Sequence, residues 1–231
     1  MLKNLPIEKV LFLDIETVPQ VSDWIDLPEN MKELWSKKVE KQLGEDDTPE
    51  SFYNELAGIL SEFGKIICIS VGYINRHKIK LKSFYGDDEK KILEEFSELL
   101  SGSYYISGVI LCAHNGKEFD FPYIARRMLI HGMDLPPALS IQGKKPWEIP
   151  HLDTMELWKF GDYKHYTSLN LLAAIFDIPT PKDDIDGSHV AKVYYEDHDL
   201  ERIKIYCEKD VLTVAQIFRK FRNEPLLEIE E

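Results

Sequence analysis

Cysteine is scarce in this sequence: the 231 residues hold three, Cys68, Cys112 and Cys207, none close to another. Zinc sites need closely spaced Cys or His pairs, so a zinc-ribbon or finger architecture is excluded. Cys68 and Cys112 fall within apolar runs and read as buried free thiols, which points to the reducing cytoplasm. Long apolar runs are missing too, since no stretch approaches the roughly 20 residues that span a bilayer. Residues 1–6 carry Lys3 but neither a continuous apolar segment nor a small-residue cleavage site, so no secretion signal is expected. Internal repeats and low-complexity linkers are absent. Basic charge is also in short supply, with 28 Lys and Arg against 41 Asp and Glu and a formal net charge of −13. That excludes a protein that coats nucleic acid through a basic footprint. It leaves room for an enzyme that touches few phosphates and draws cations to its site.

What is present suffices for a sizeable core: 44% of residues are hydrophobic and 11% aromatic. The length is that of one domain, residues 1–231, with an insertion at about 18–63. Residues 9–16 read as a strand buried on both faces that ends in acids. A second strand is expected over 65–74, a turn at Asn75-Arg76-His77, and a third strand over 78–85. Apolar residues at helical spacing predict a helix over about 88–101. A short strand at 109–113, a helix over about 120–131 and a last strand at 151–153 follow. Further helical segments are expected near 154–160, 167–176, 187–195 and 198–222. The order predicts an α/β fold with a mixed five-stranded sheet flanked by helices. Within 18–63, residues 29–43 read as a polar helix and 44–50 as an exposed acidic turn. The segment is either a solvated excursion or a lid or partner surface.

Three sets of acids stand where the pattern asks for apolar residues. On a strand, residues two apart share a face, so Phe12, Asp14 and Glu16 line one side while Leu11, Leu13 and Ile15 line the other. Adjacent buried carboxylates are costly unless a cation or metal joins them; the alternative is a strand emerging into solvent at Asp14. On the last helix, Asp210 falls on the apolar stripe of Ile203, Val214, Ile217 and Phe221, with Tyr206 one turn earlier on the same face. Buried acids are rarely unpaired, which favours a shared site there. Asp120, in the segment 114–122, stands where a helix begins, with Pro122 in its first turn. Taken alone it reads equally well as a helix cap.

Together these segments resemble the DEDD exonuclease superfamily, which has a ribonuclease-H-like fold. Asp14-Ile15-Glu16-Thr17 is similar to its D-x-E motif, and Asn115 to Asp120 to N-x-x-x-F-D. Tyr206 to Asp210 is similar to the Y-x-x-x-D of the tyrosine subclass; position 205, where the histidine subclass would carry His, is Ile205. The resemblance runs from about residue 9 to 222, broken by 18–63. It is nearest to stand-alone bacterial proteins similar to the proofreading domain of B-family DNA polymerases, and Asp186-Gly187-Ser188 supports that placement.

The resemblance implies a metal-dependent 3′–5′ exonuclease acting on single-stranded ends, DNA rather than RNA. It implies two divalent cations, Mg²⁺ or Mn²⁺, held by Asp14, Glu16, Asp120 and Asp210; oxygen-only carboxylate sites suit such hard ions. Asp14 would bridge both ions, Glu16 and Asp210 would complete one site, and Asp120 would serve the other. Tyr206 would orient the attacking water, because a phenol with an ordinary pKa near 10 is a poor base. Thr17, Asn115 and Phe119 would lie beside the 3′-terminal nucleotide. Arg126, Arg127, Lys144, Lys145 and Lys164 are candidate phosphate contacts and equally ordinary surface charges. An RNA exonuclease like ribonuclease D shares the same ligands, and a catalytically silent adaptor binding a protein through 18–63 is the reading from another class.

Overall fold

The computed structural model describes residues 2–44, 46–102, 108–162, 166–179 and 185–230; Lys164 lies outside them. The sheet starts with β1 (Val10–Pro19), whose residues Val10 to Leu13 are fully buried because both faces are covered. It pairs antiparallel with β2 (Gly64–Asn75), and β2 turns through Arg76 and His77 into β3 (Lys78–Tyr85). Arg76 takes a left-handed φ of 60° in that two-residue turn. On the other flank β1 runs parallel to β4 (Ile110–Ala113), which pairs with the two-residue β5 (Leu152–Asp153).

Among the described residues the sheet has six strands, one more than expected. The sixth, β6 (Glu228–Ile229), lies parallel to the free edge of β3, where Glu228 N donates to His77 O and Glu230 N to Ile79 O. Two exposed residues in an acidic tail carry no strand pattern, so only the open edge of β3 defines this strand.

The strand alternation sets up two cores. Leu11, Leu13 and Ile15 face α3 (Glu89–Ser101) and α4 (Asp120–Ile130), packing with Ile92, Phe96, Phe121 and Ile124. Val10 and Phe12 face the 22-residue α8 (Leu200–Phe221), packing with Val211, Val214 and Phe218. Continuing the second face past Phe12 brings Asp14 and then Glu16 under α8. The register of β1 against β2 breaks between Glu16 and Thr17, so the strand is irregular where the acids sit.

Residues 18–63 are not a solvated excursion. They hold α1 (Glu29–Val39) and α2 (Pro49–Leu56), closing on a core of Leu27, Trp35, Val39, Tyr53, Ala57 and Phe63. The expected acidic turn stops at Thr48, whose hydroxyl accepts from Ser51 N and caps α2; Pro49 at the first helical position completes the start signal. The segment is then locked to α4. Tyr123 Oη donates to Gly58 O at 2.8 Å, and a Cβ on Gly64 would lie 2.2 Å from that same oxygen of Tyr123, so no larger residue fits. In the C-terminal third, α5 (Thr154–Lys159) and α6 (Leu169–Ile175) precede α7 (Val190–Lys192), which runs into a π-helical turn, Val193–Asp197.

Candidate active site

The end of β1 delivers Asp14, half-buried, and Glu16, 7% exposed. From α8, Tyr206, Cys207 and Asp210 lie across the same strand end. Cys207 Sγ is 3.4 Å from both the carbonyl oxygen and Oδ2 of Asp14. Asp120, the first residue of α4, is buried 3% exposed, and its carboxylate accepts from its own backbone N–H and from that of Ile15.

These carboxyls lie near enough to raise one another's pKa values. Burial pushes the Asp14 carboxyl well above its ordinary pKa, and the charges of Glu16, Asp210 and Asp120 push it further; the Cys207 thiol opposes them. Glu16 is raised by burial, by Asp210, by Cys68 and by Asp120, against a hydrogen bond shared with Asp14. Asp120 is pushed up to about 7, first by burial and then by Asp153 and Asp210, while the two backbone N–H groups favour its anion. Tyr206 is raised by burial, by the charges of Asp210, Glu16 and Asp14, and by its hydrogen bond to Asp210. Among the described residues no Lys, Arg or His forms an ion pair with Asp14, Glu16 or Asp120. Buried carboxyls that repel one another make a place for a cation, since a bound divalent ion favours their ionised forms. Asp14, Glu16 and Cys207 each offer a ligand atom within 4.8 Å of the others. The donor set therefore fits a divalent cation.

The cluster opens into a cleft of about 700 Å³ lined by Asp14, Glu16, Thr17, Phe119, Tyr206 and Asp210. Two further walls close it: Asn54 to Ile59 from the end of the 18–63 segment, and Gly187, Ser188 and Ala191 ahead of the π-turn. Phe119 is half-buried and tilts against Tyr123, ring centroids 5.3 Å apart.

Asn115 does not line this cleft. It occupies a left-handed backbone conformation (φ 64°), which Asn adopts more readily than other Cβ-bearing residues, and its N–H donates to Asp153. Gly116 follows because a Cβ there would lie 2.4 Å from that of Ala113. Asp153 holds the whole loop: its carboxylate accepts from Asn115 N and Lys117 N, and from Met155 N and Glu156 N at the start of α5.

Asp153, Cys207 and the 54–59 wall are the functional neighbours that sequence reasoning missed. Cys207 was findable, because it is three residues before Asp210 and thus on its helix face. In the sequence Asp153 reads only as the end of a short strand, and nothing in residues 54–59 signals a cleft wall.

Residues 59–224 match the family described as a predicted 3′–5′ exonuclease related to the exonuclease domain of PolB. The chain belongs to this family. The match takes in Asp120, Tyr206 and Asp210 but starts after β1, so it is the fold that adds Asp14 and Glu16 to them. The structure of the family B DNA polymerase from the hyperthermophilic archaeon Pyrobaculum calidifontis superposes with a TM-score of 0.56 at 14% identity, over 92% of this chain and 24% of that one. This likeness shows the ribonuclease-H-like fold, and the chain spans about a quarter of the polymerase's length. The protein is thus a 3′–5′ exonuclease family member, a phosphodiester hydrolase by class. No helix among the described residues is long and apolar enough to cross a membrane.

Proposed function

We propose that the chain removes nucleotides from the 3′ ends of single-stranded DNA, as one exonuclease domain in which residues 18–63 are an insertion supplying a cleft wall. The observation that supports this reading is that Asp14 and Glu16 from β1 and Asp210 from α8 line one cleft, with the buried Asp120 electrostatically linked to them. These four carboxylates would hold two divalent cations, Mg²⁺ or Mn²⁺. When bound, such a pair neutralises charge on the attacking and leaving oxygens and eases deprotonation of water.

The protein groups divide the remaining work. Tyr206 acts as a protonated phenol, whose ordinary pKa near 10 lies above the physiological range. Its hydroxyl proton goes to Asp210, which leaves the oxygen lone pairs to accept from the attacking water and fix its direction. Thr17 and Phe119 stand on the wall where the terminal nucleotide would enter, Phe119 offering its edge or face for stacking. Asn115 acts from behind, by shaping the loop that carries Phe119 and Asp120. With a net charge of −13, the enzyme would gain little from long-range attraction to the phosphates of long strands. Three buried free thiols accord with work in the reducing cytoplasm.

The test is degradation of a 5′-labelled single-stranded DNA oligonucleotide with Mg²⁺ or Mn²⁺, beside a matched RNA and an Asp14→Ala control. A ladder shortening from the 3′ end, lost with EDTA and in the variant, supports the reading. Cleavage of RNA alone keeps the chemistry and replaces the substrate. Cleavage of neither overturns it and favours an adaptor.

A further inference from the structure

The loop 115–119 borders two clefts. Phe119 lines the carboxylate cleft, while Asn115, Lys117 and Glu118 line a second one of about 450 Å³, walled also by Pro146, Asp153 and Lys159. Two large, mostly exposed aromatic residues adjoin its lining residues in the chain. Trp147, next to Pro146, is 77% exposed, and Phe160, between Lys159 and Gly161, is 89% exposed. Phe160 also holds a left-handed backbone (φ 46°, ψ 35°), a conformation that disfavours a Cβ. Its ring gains little from this, because its ring contact among the described residues is an edge approach to Trp158 at 6.4 Å. The left-handed backbone ends α5, which explains the turn but not the choice of a large apolar ring exposed to solvent there.

Lysines alternate with the rings. Lys145 Nζ lies over Trp147 at 5.3 Å, and Lys159 Nζ lies over Tyr166, itself 67% exposed, at 4.6 Å. Rings that accept bases beside ammonium groups that meet phosphates are the chemistry of a single-strand path. A peptide could also use exposed aromatics. Continuity decides for the strand: one loop, pinned by Asp153, forms a wall of both clefts.

Resting on the exonuclease reading, we propose that the second cleft holds the single strand upstream of its 3′-terminal nucleotide, with bases stacked on Trp147 and Phe160. The lining sets Glu118, Asp153 and Glu156 against Lys117 and Lys159, so the grip comes from stacking rather than net positive charge, and it persists in salt that strips phosphate contacts.

The experiment compares kcat/KM for a 12-nucleotide single strand and for a dinucleotide, with Mn²⁺, in wild type and in the Trp147→Ala/Phe160→Ala protein. The wild type is expected to favour the longer strand, and the double variant to lose roughly ten-fold of that preference per unstacked base. Phe160→Gly provides a folding control, because it relieves the left-handed strain while removing the ring: its Tm should hold or rise while the preference falls. A folded double variant that keeps the full preference overturns the proposal and assigns the surface to a protein contact. If wild type cuts neither substrate, the exonuclease reading has failed separately. Anisotropy of a labelled 12-nucleotide strand in EDTA then still decides the cleft, and binding unaffected by the double substitution refutes it.

Discussion

Glu89 offers the sharpest test of how the 18–63 segment is held against the site. Its carboxylate accepts from Arg127 Nε at 2.8 Å, from Ile66 N at 2.7 Å and from His131 Nε2 at 2.6 Å. Arg127 in turn donates to Ser61 O at 2.9 Å, two residues beyond the cleft wall at Ile59. Both partners are nearly closed to solvent, their side chains 5% and 6% exposed. Glu89→Gln keeps the shape and removes the charge, leaving a buried guanidinium without its counterion, which costs about 3–5 kcal/mol. Arg127→Met strands the carboxylate at a similar cost. The double variant should lose much less than the sum of the two, because it buries no orphaned charge. Urea unfolding in EDTA measures all four proteins. At this chain length the single variants should melt on the order of 10 °C lower. A second signature is pH dependence. Burial raises the pKa of Glu89, but the hydrogen bonds from Arg127, Ile66 and His131 outweigh it and leave it lowered. Its contribution is therefore present above the ordinary carboxylate pKa and is lost as pH falls through the lowered value, and Glu89→Gln should not show that loss. Additive single costs, or a Glu89→Gln penalty below about 1 kcal/mol, would refute the reasoning.

The carboxylate cluster makes three more predictions. Mn²⁺ should raise the Tm of wild type by differential scanning fluorimetry but not that of Asp14→Asn or Asp210→Asn, since binding to the folded state alone is stabilising; equal shifts would remove these residues from the cation site. Asp120 has its pKa raised to about 7, so the metal-free protein should lose stability between about pH 4 and pH 7, where the unfolded chain binds fewer protons. Asp120→Asn should remove up to about 4 kcal/mol of the stability lost as pH rises across that range in urea titrations, and an unchanged pH dependence would contradict the assignment. Tyr206→Phe should lower kcat by about 100-fold with KM nearly constant in steady-state kinetics, as befits a residue that positions water; a loss confined to KM would place it in strand binding instead.

Much of this was written in local pattern. The fully apolar run before Asp14 determined a central strand, the alternation of Leu11, Phe12 and Leu13 determined its two faces, and the spacing of Tyr206 and Asp210 placed both on one turn of a helix. Asp120 beside Pro122 determined a helix start. Those are properties of neighbours within one or two turns, which the side-chain periods of strand and helix encode directly. What required the tertiary structure was everything between segments distant in the chain. Asp153 holds the 115–117 loop because β5 lies beside β4; Cys207 reaches Asp14 because α8 crosses the end of β1. Residues 54–59 face the cleft because Tyr123 and Arg127 clamp them there. β6 exists because the edge of β3 is open. The raised pKa of Asp120 belongs to neither level alone: the residue is named in the sequence, but its value is the work of burial and of the charges that folding brings to it.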